Sequence, residues 1–103
     1  MTAADRLSEL IKMPTVSAYE PKDEDDEVFA AFPDRLAALY PSAHGAMERR
    51  LVGDRGIVYT WQGTVSQLEP ILGLAHYDVV PPGAAEARDR PPGPLGAATA
   101  VTR

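Results

Sequence analysis

Between Ala3 and Lys12, Leu7, Leu10 and Ile11 recur at helical spacing with charged residues between them, which predicts a short amphipathic helix with one face turned inward. Met13-Pro14 ends that pattern. Residues 14–26 read as a loop closing on an acidic run, Asp23 to Glu27, placed where the helix dipole favours negative charge at an amino terminus. From Asp25 to Tyr40, Val28, Phe29, Phe32, Leu36 and Leu39 fall on one helical face, and Pro41 stops the pattern. Pro33 lies inside it. An internal proline loses a backbone hydrogen bond and costs about 3 kcal/mol, so either one kinked helix or two abutting helices, the second opened by Pro33, satisfies the pattern.

Further along, the periodicity changes from helical to extended. Residues 47–52 and 57–61 are β-prone, and Gly53-Asp54-Arg55-Gly56 between them is turn chemistry, which predicts a hairpin. Residues 63–69 read as a surface connection. Ile71-Leu72-Gly73-Leu74-Ala75 is then a continuous apolar run, preceded by Pro70 and too short for a helix, as expected of a strand buried on both faces of an α/β sheet. His76 would sit at the carboxyl end of that strand, where open α/β sheets place their ligands. Residues 81–103 contain six Ala, five Pro, three Gly and three Arg, too few large apolar residues to build core. No internal repeat is visible.

Composition narrows the classes that remain. A chain of 103 residues has room for one domain or part of one. An apolar fraction of 45% with a mean hydropathy of -0.20 fits a soluble globular class, and no window approaches a membrane span. Fifteen acidic residues against ten basic ones give a net charge of -5, and Arg49-Arg50 is too short a basic cluster to track phosphates, so neither nucleic acid nor a membrane is expected as partner. The first fifteen residues mix charges with apolar positions and contain no secretory h-region, which makes the cytoplasm the expected compartment. The absence of cysteine removes disulfides and thiolate chemistry, so a metal would have to rely on histidine and carboxylates.

Histidine followed two positions later by aspartate, His76 and Asp78, makes a reasonable metal half-site. Neutral imidazole binds zinc, a nearby carboxylate can hold the other ring N–H, and residues i and i+2 of an extended chain point to one side. Taken alone, the pair is better read as two polar residues at a strand-loop junction, since a bare H-x-D occurs by chance in many chains. His44 is expected to face solvent in a helix-to-strand connection. Tyr59 and Trp61 are expected to pack at the core or sheet edge. The acidic run at 23–27 reads as a solvated helix start rather than a cation site, and Thr15-Val16-Ser17 as a loop near the cleft rather than a nucleophile.

The wider context resembles a known family. Ala75-His76-Tyr77-Asp78-Val79-Val80-Pro81 after an apolar strand is similar to the first metal motif of the M20 aminoacylase and carboxypeptidase family, in its carboxypeptidase S-like branch. Upstream, Leu10-Ile11-Lys12-Met13-Pro14-Thr15-Val16-Ser17, Phe29-x-x-Phe32-Pro33, Leu39-Tyr40-Pro41 and Tyr59-Thr60-Trp61-Gln62-Gly63 agree in order and spacing. The resemblance covers residues 5–82. It implies an α/β fold: a partial, truncated M20-type catalytic domain over residues 1–82, made of two helices, a hairpin and a buried strand, with an irregular Ala/Pro/Gly-rich tail over 83–103. It further implies that His76 is a metal ligand of a two-zinc centre, that Asp78 orients it from behind, and that the reaction is hydrolysis of peptide or N-acyl amino acid amide bonds.

The family pattern continues beyond H-x-D into a tryptophan-and-proline loop, a G-R-G-x-x-D segment and later acidic and histidine ligands. Here the acidic residues after His76 are Asp78, Glu86 and Asp89, and no histidine follows. The expectation is therefore a fragment of a zinc-dependent hydrolase, inactive alone and prone to self-association through an exposed sheet edge. The abrupt loss of resemblance near Pro82 is what a frameshift in a GC-rich gene would leave. The competing reading is a stand-alone, non-catalytic protein-interaction module in which H-x-D is vestigial.

Overall fold

The computed structural model describes residues 1–81, in a mixed α/β arrangement of three helices and one antiparallel hairpin. The segment from 83 onward, read from sequence as an irregular tail, lies outside the described residues.

Helix α1 spans Ala3–Ile11. Thr2 caps it: its hydroxyl accepts the Asp5 N–H, and the Asp5 carboxylate reaches back to the Thr2 N–H at 2.7 Å, a reciprocal capping box. None of its residues is fully buried, and Leu7 and Ile11 remain exposed. What ties α1 down is polar. Glu9 receives Arg35 at 2.9 Å and Lys12 at 3.3 Å, and the Arg6 guanidinium lies 5.6 Å from the Tyr40 ring centre. Those two cations hold the Glu9 carboxyl below its ordinary range, Arg35 most strongly.

Helix α2 spans Asp26–Leu39 as one continuous helix. Asp25 caps it by accepting the Glu27 and Val28 N–H groups, which is the role expected of the acidic run. Pro33 sits inside the helix and is buried, so the two-helix alternative is not realised. Its carbonyl instead receives Arg49 Nη1 at 2.9 Å, a bond from the hairpin that fastens strand to helix. The buried face carries Phe29, Phe32 and Leu39, and these three form the apolar core.

A third, short helix, α3 (Pro41–Ala46), follows at once and was not foreseen; Pro41 opens it rather than merely ending α2. It places His44 half-buried, not facing solvent as expected. His44 Nδ1 lies 2.8 Å from the Tyr40 carbonyl and Nε2 lies 2.7 Å from the Tyr59 hydroxyl. A carbonyl only accepts, so Nδ1 carries the proton and Tyr59 donates to Nε2. His44 thus pins α3 to the hairpin.

Strands β1 (Glu48–Val52) and β2 (Gly56–Thr60) pair antiparallel in the register Glu48 with Thr60 through Val52 with Gly56. Gly53 adopts φ 62°, the left-handed conformation that L side chains resist. At Gly56 a Cβ would stand 2.5 Å from the Val52 carbonyl oxygen. Gly53→Ala should therefore cost about 1 kcal/mol and lower the melting temperature by about 4–8 °C, read from a thermal melt against wild type. An unchanged melt would show that the turn does not need its positive φ. Trp61, expected to pack, lies just past β2 and is 78% exposed.

The main departure is at residues 71–75. The apolar run belongs to no strand and pairs with nothing among the described residues, and Ile71, Leu72 and Leu74 are 98%, 82% and 88% exposed. A strand exists only through its ladder, and among the described residues no neighbour lies beside this run. The residues that follow do find a partner: Val79 forms an isolated parallel bridge with Val16. No helix of the described residues is long and apolar enough to cross a membrane.

Candidate functional site

The H-x-D motif is extended, and alternation along it decides where each side chain goes. Tyr77 points inward. Its ring stacks on Phe32 with centroids 4.5 Å apart and tilts against Phe29 at 5.9 Å. Its phenol donates to the Arg55 carbonyl at 2.6 Å, and burial raises the phenol above its ordinary range. His76 and Asp78, one residue to either side, face outward together.

His76 Nδ1 lies 2.9 Å from Asp78 Oδ1. An ionised carboxylate only accepts, so Nδ1 holds the proton, and in the neutral imidazole Nε2 then carries the lone pair, on a side chain that is 91% exposed. That is the geometry of a metal-ligating imidazole whose other nitrogen is held by a carboxylate. The structure thus brings together the two residues singled out from the sequence. His44 is not part of this site, since both its nitrogens are committed to Tyr40 and Tyr59.

A cavity of about 380 Å³ opens beside the motif, with Glu24, Phe29, Arg55 and Ile57 on one wall and Ala75 to Asp78 on the other. Arg55 organises that wall. Its Nη2 reaches Glu24 at 3.1 Å and Asp26 at 2.7 Å, and its guanidinium carbon sits 3.8 Å from the Phe29 ring centre. Part of the acidic run is therefore engaged with an arginine rather than merely solvated. Nothing in the local sequence announced this, because Arg55 is 31 residues from Glu24 and reads as an ordinary turn residue.

The motif is also gripped from behind by the loop after α1. Thr15 Oγ1 donates to the Tyr77 carbonyl at 2.6 Å, the Val79 N–H donates to the Thr15 carbonyl at 2.8 Å, and the Ser17 N–H donates to the Val79 carbonyl at 2.8 Å. Ser17 Oγ donates to the same oxygen at 3.1 Å. Its hydroxyl is spent on backbone, in keeping with a loop residue and not a nucleophile.

As a donor set for zinc, the arrangement fits in part. His76 is a well-formed single ligand, but among the described residues no three His, Asp or Glu side chains converge, and a protein zinc site needs at least three.

Comparison with known proteins gives the same direction as the motif. The chain is 32% identical over 85 residues to carboxypeptidase S of Saccharomyces cerevisiae, covering 78% of this chain and 15% of that protein. It is 33% identical to the carboxypeptidase S-like 2 protein of Dictyostelium discoideum, over 76% of this chain and 15% of that one. It is 32% identical to the N-fatty-acyl-amino acid synthase/hydrolase PM20D1 of Bos taurus, over 75% and 16%. These likenesses support membership of the M20 family, a family of peptidases and amidohydrolases. The chain spans about a seventh of the length of the curated relatives it matches, as the 15% shares state. No family model and no solved structure matches it.

Proposed function

We propose that this chain forms the amino-terminal section of an M20-type catalytic domain, in which His76 is a zinc ligand and Asp78 holds its ring, within an enzyme that hydrolyses peptide or N-acyl amino acid amide bonds. The observation that carries the reading is the 2.9 Å contact between His76 Nδ1 and Asp78 Oδ1, which fixes the ring on a motif that lines the cavity and leaves Nε2 uncommitted to Asp78. Bound zinc would supply Lewis-acid polarisation of a carbonyl and a hydroxide at neutral pH. What this chain's own residues contribute is narrower. His76 binds, Asp78 fixes its tautomer and direction, and Tyr77 anchors both to the core.

The exposed run Ile71–Leu74 supports the same reading. Its composition is that of a sheet interior, so further strands of an enclosing domain would cover it. Alone, the chain is expected to turn over neither peptides nor N-acyl amino acids, since the described donors do not close a site.

A chimera tests this, with residues 5–81 replacing the matching segment of the yeast relative. The chimera should hold zinc and hydrolyse its substrate, His76→Ala should lose both, and Asp78→Ala should weaken zinc affinity about tenfold to a hundredfold. If the chimera does not fold, the yeast relative with only residues 71–81 of this chain exchanged in takes its place and is read the same way. Activity and zinc content indifferent to His76→Ala would sink the assignment.

A further inference from the structure

Asp78 can orient His76 only if its own backbone is fixed, yet residues 76–78 belong to no helix or strand. Two peptide units flank it. The unit before Asp78 carries the Tyr77 carbonyl, and the unit after it carries the Val79 N–H. Both are bonded to one residue, Thr15, the first through its hydroxyl at 2.6 Å and the second through its carbonyl at 2.8 Å.

A peptide plane bonded on each side restricts φ and ψ of Asp78, because those two dihedrals are the rotations between the planes. Thr15 is 2% exposed, the buried polar side chain of the described residues, and its hydroxyl is committed to that single carbonyl. Burying a hydroxyl is costly unless it is bonded, so its place there follows from the bond it makes.

We infer that Thr15 is a positioning residue: by clamping both peptide units around Asp78, it sets the direction from which the carboxylate holds His76. The inference rests on the proposed role of His76 and Asp78 and adds the residue that makes their geometry reproducible. Neither residue is near Thr15 in sequence, the separation to Tyr77 being 62 positions. The connection is made by folding alone.

The test reads the His76 tautomer by nitrogen-15 NMR of the zinc-free chain, so it does not depend on metal binding or activity. Wild type should show Nδ1–H as the major form, and Asp78→Ala should revert to the pattern of free histidine. Thr15→Val keeps the shape and removes the hydroxyl; the ratio of the Nδ1–H to the Nε2–H form should fall about fivefold, the effect of losing one hydrogen bond. Thr15→Ser should restore it. If Thr15→Val does not melt cooperatively, Thr15→Cys, with its weak donor, replaces it and is read the same way. A Thr15→Val chain that melts lower while its tautomer ratio stays at the wild-type value would make Thr15 structural only and overturn the inference. So would a Thr15→Ser chain as perturbed as Thr15→Val, or a wild type already showing the free-histidine pattern. A normal tautomer response together with a chimera that holds no zinc would fail the metal assignment instead and leave the clamp standing.

Discussion

Phe32→Ala should abolish the cooperative melt. Phe32 stacks on the Tyr77 ring and so joins α2 to the H-x-D motif, 7% exposed and 4.5 Å from the Tyr77 ring centre. Removing a buried phenylalanine costs about 3–5 kcal/mol, part of it for the transfer of the ring and part for the cavity left behind. Small domains hold total stabilities from about 5 kcal/mol. Among the described residues the buried apolar side chains of the core are Phe29, Phe32 and Leu39, and none is large and completely enclosed, so there is little other packing to absorb the loss. Circular dichroism against temperature or urea makes the measurement. A broad, non-cooperative signal is expected for Phe32→Ala, and a sharp transition at reduced midpoint for Phe32→Leu, which keeps most of the volume. A sharp melt within a few degrees of wild type for Phe32→Ala would mean that the stack is not what holds the helices and motif together.

Arg55→Ala should lower stability by about 2–3 kcal/mol, more than its position in a hairpin turn suggests. Its partners differ in weight. Asp26 is largely exposed, and that ion pair contributes little and is screened by salt. Glu24 is mostly covered, with a side chain 16% exposed, and also accepts the Ala18 N–H at 3.0 Å. Without Arg55 its carboxylate would keep that one bond and lose its counter-charge in a poorly hydrated place. The guanidinium also loses its seat over Phe29. Arg55→Lys should recover less than half of the loss, because an ammonium offers no planar face for the Phe29 ring. Urea unfolding at low and high salt reads this. The defect should persist in high salt, and a defect that disappears there would assign the effect to the Asp26 pair.

The parts of the fold that follow from the sequence are those whose cause is local. The apolar face of α2 shows in the spacing of Phe29, Phe32 and Leu39, and the hairpin shows in Gly53 and Gly56 between β-prone runs. His76 and Asp78 were identifiable because an i, i+2 pair needs only an extended backbone to meet. The strand expected at 71–75 failed for the opposite reason: a strand is a property of two segments, and apolar composition alone cannot supply the second. His44 was misplaced because its partners are the carbonyl of the residue that ends α2 and a tyrosine hydroxyl on β2. Arg55 and Thr15 were missed as organisers because their partners lie 31 and 62 positions away. Periodicity carries no information at that range.

The parallel bridge between Val16 and Val79 has a kinetic side. Joining positions so far apart closes a loop of about sixty residues, and the chain entropy lost grows as the logarithm of that length, on the order of 3–4 kcal/mol before any contact is rewarded. Helices α1 and α2 and the hairpin are built from neighbours and can assemble on a timescale of microseconds. The clasp around the motif gains only once they are in place, since the ring that seats Tyr77 belongs to α2 and the oxygen that receives its phenol belongs to the hairpin turn. The mutual geometry of the histidine and aspartate is therefore expected to be fixed late in folding, and local opening of this clasp would undo it while α2 and the hairpin stay formed.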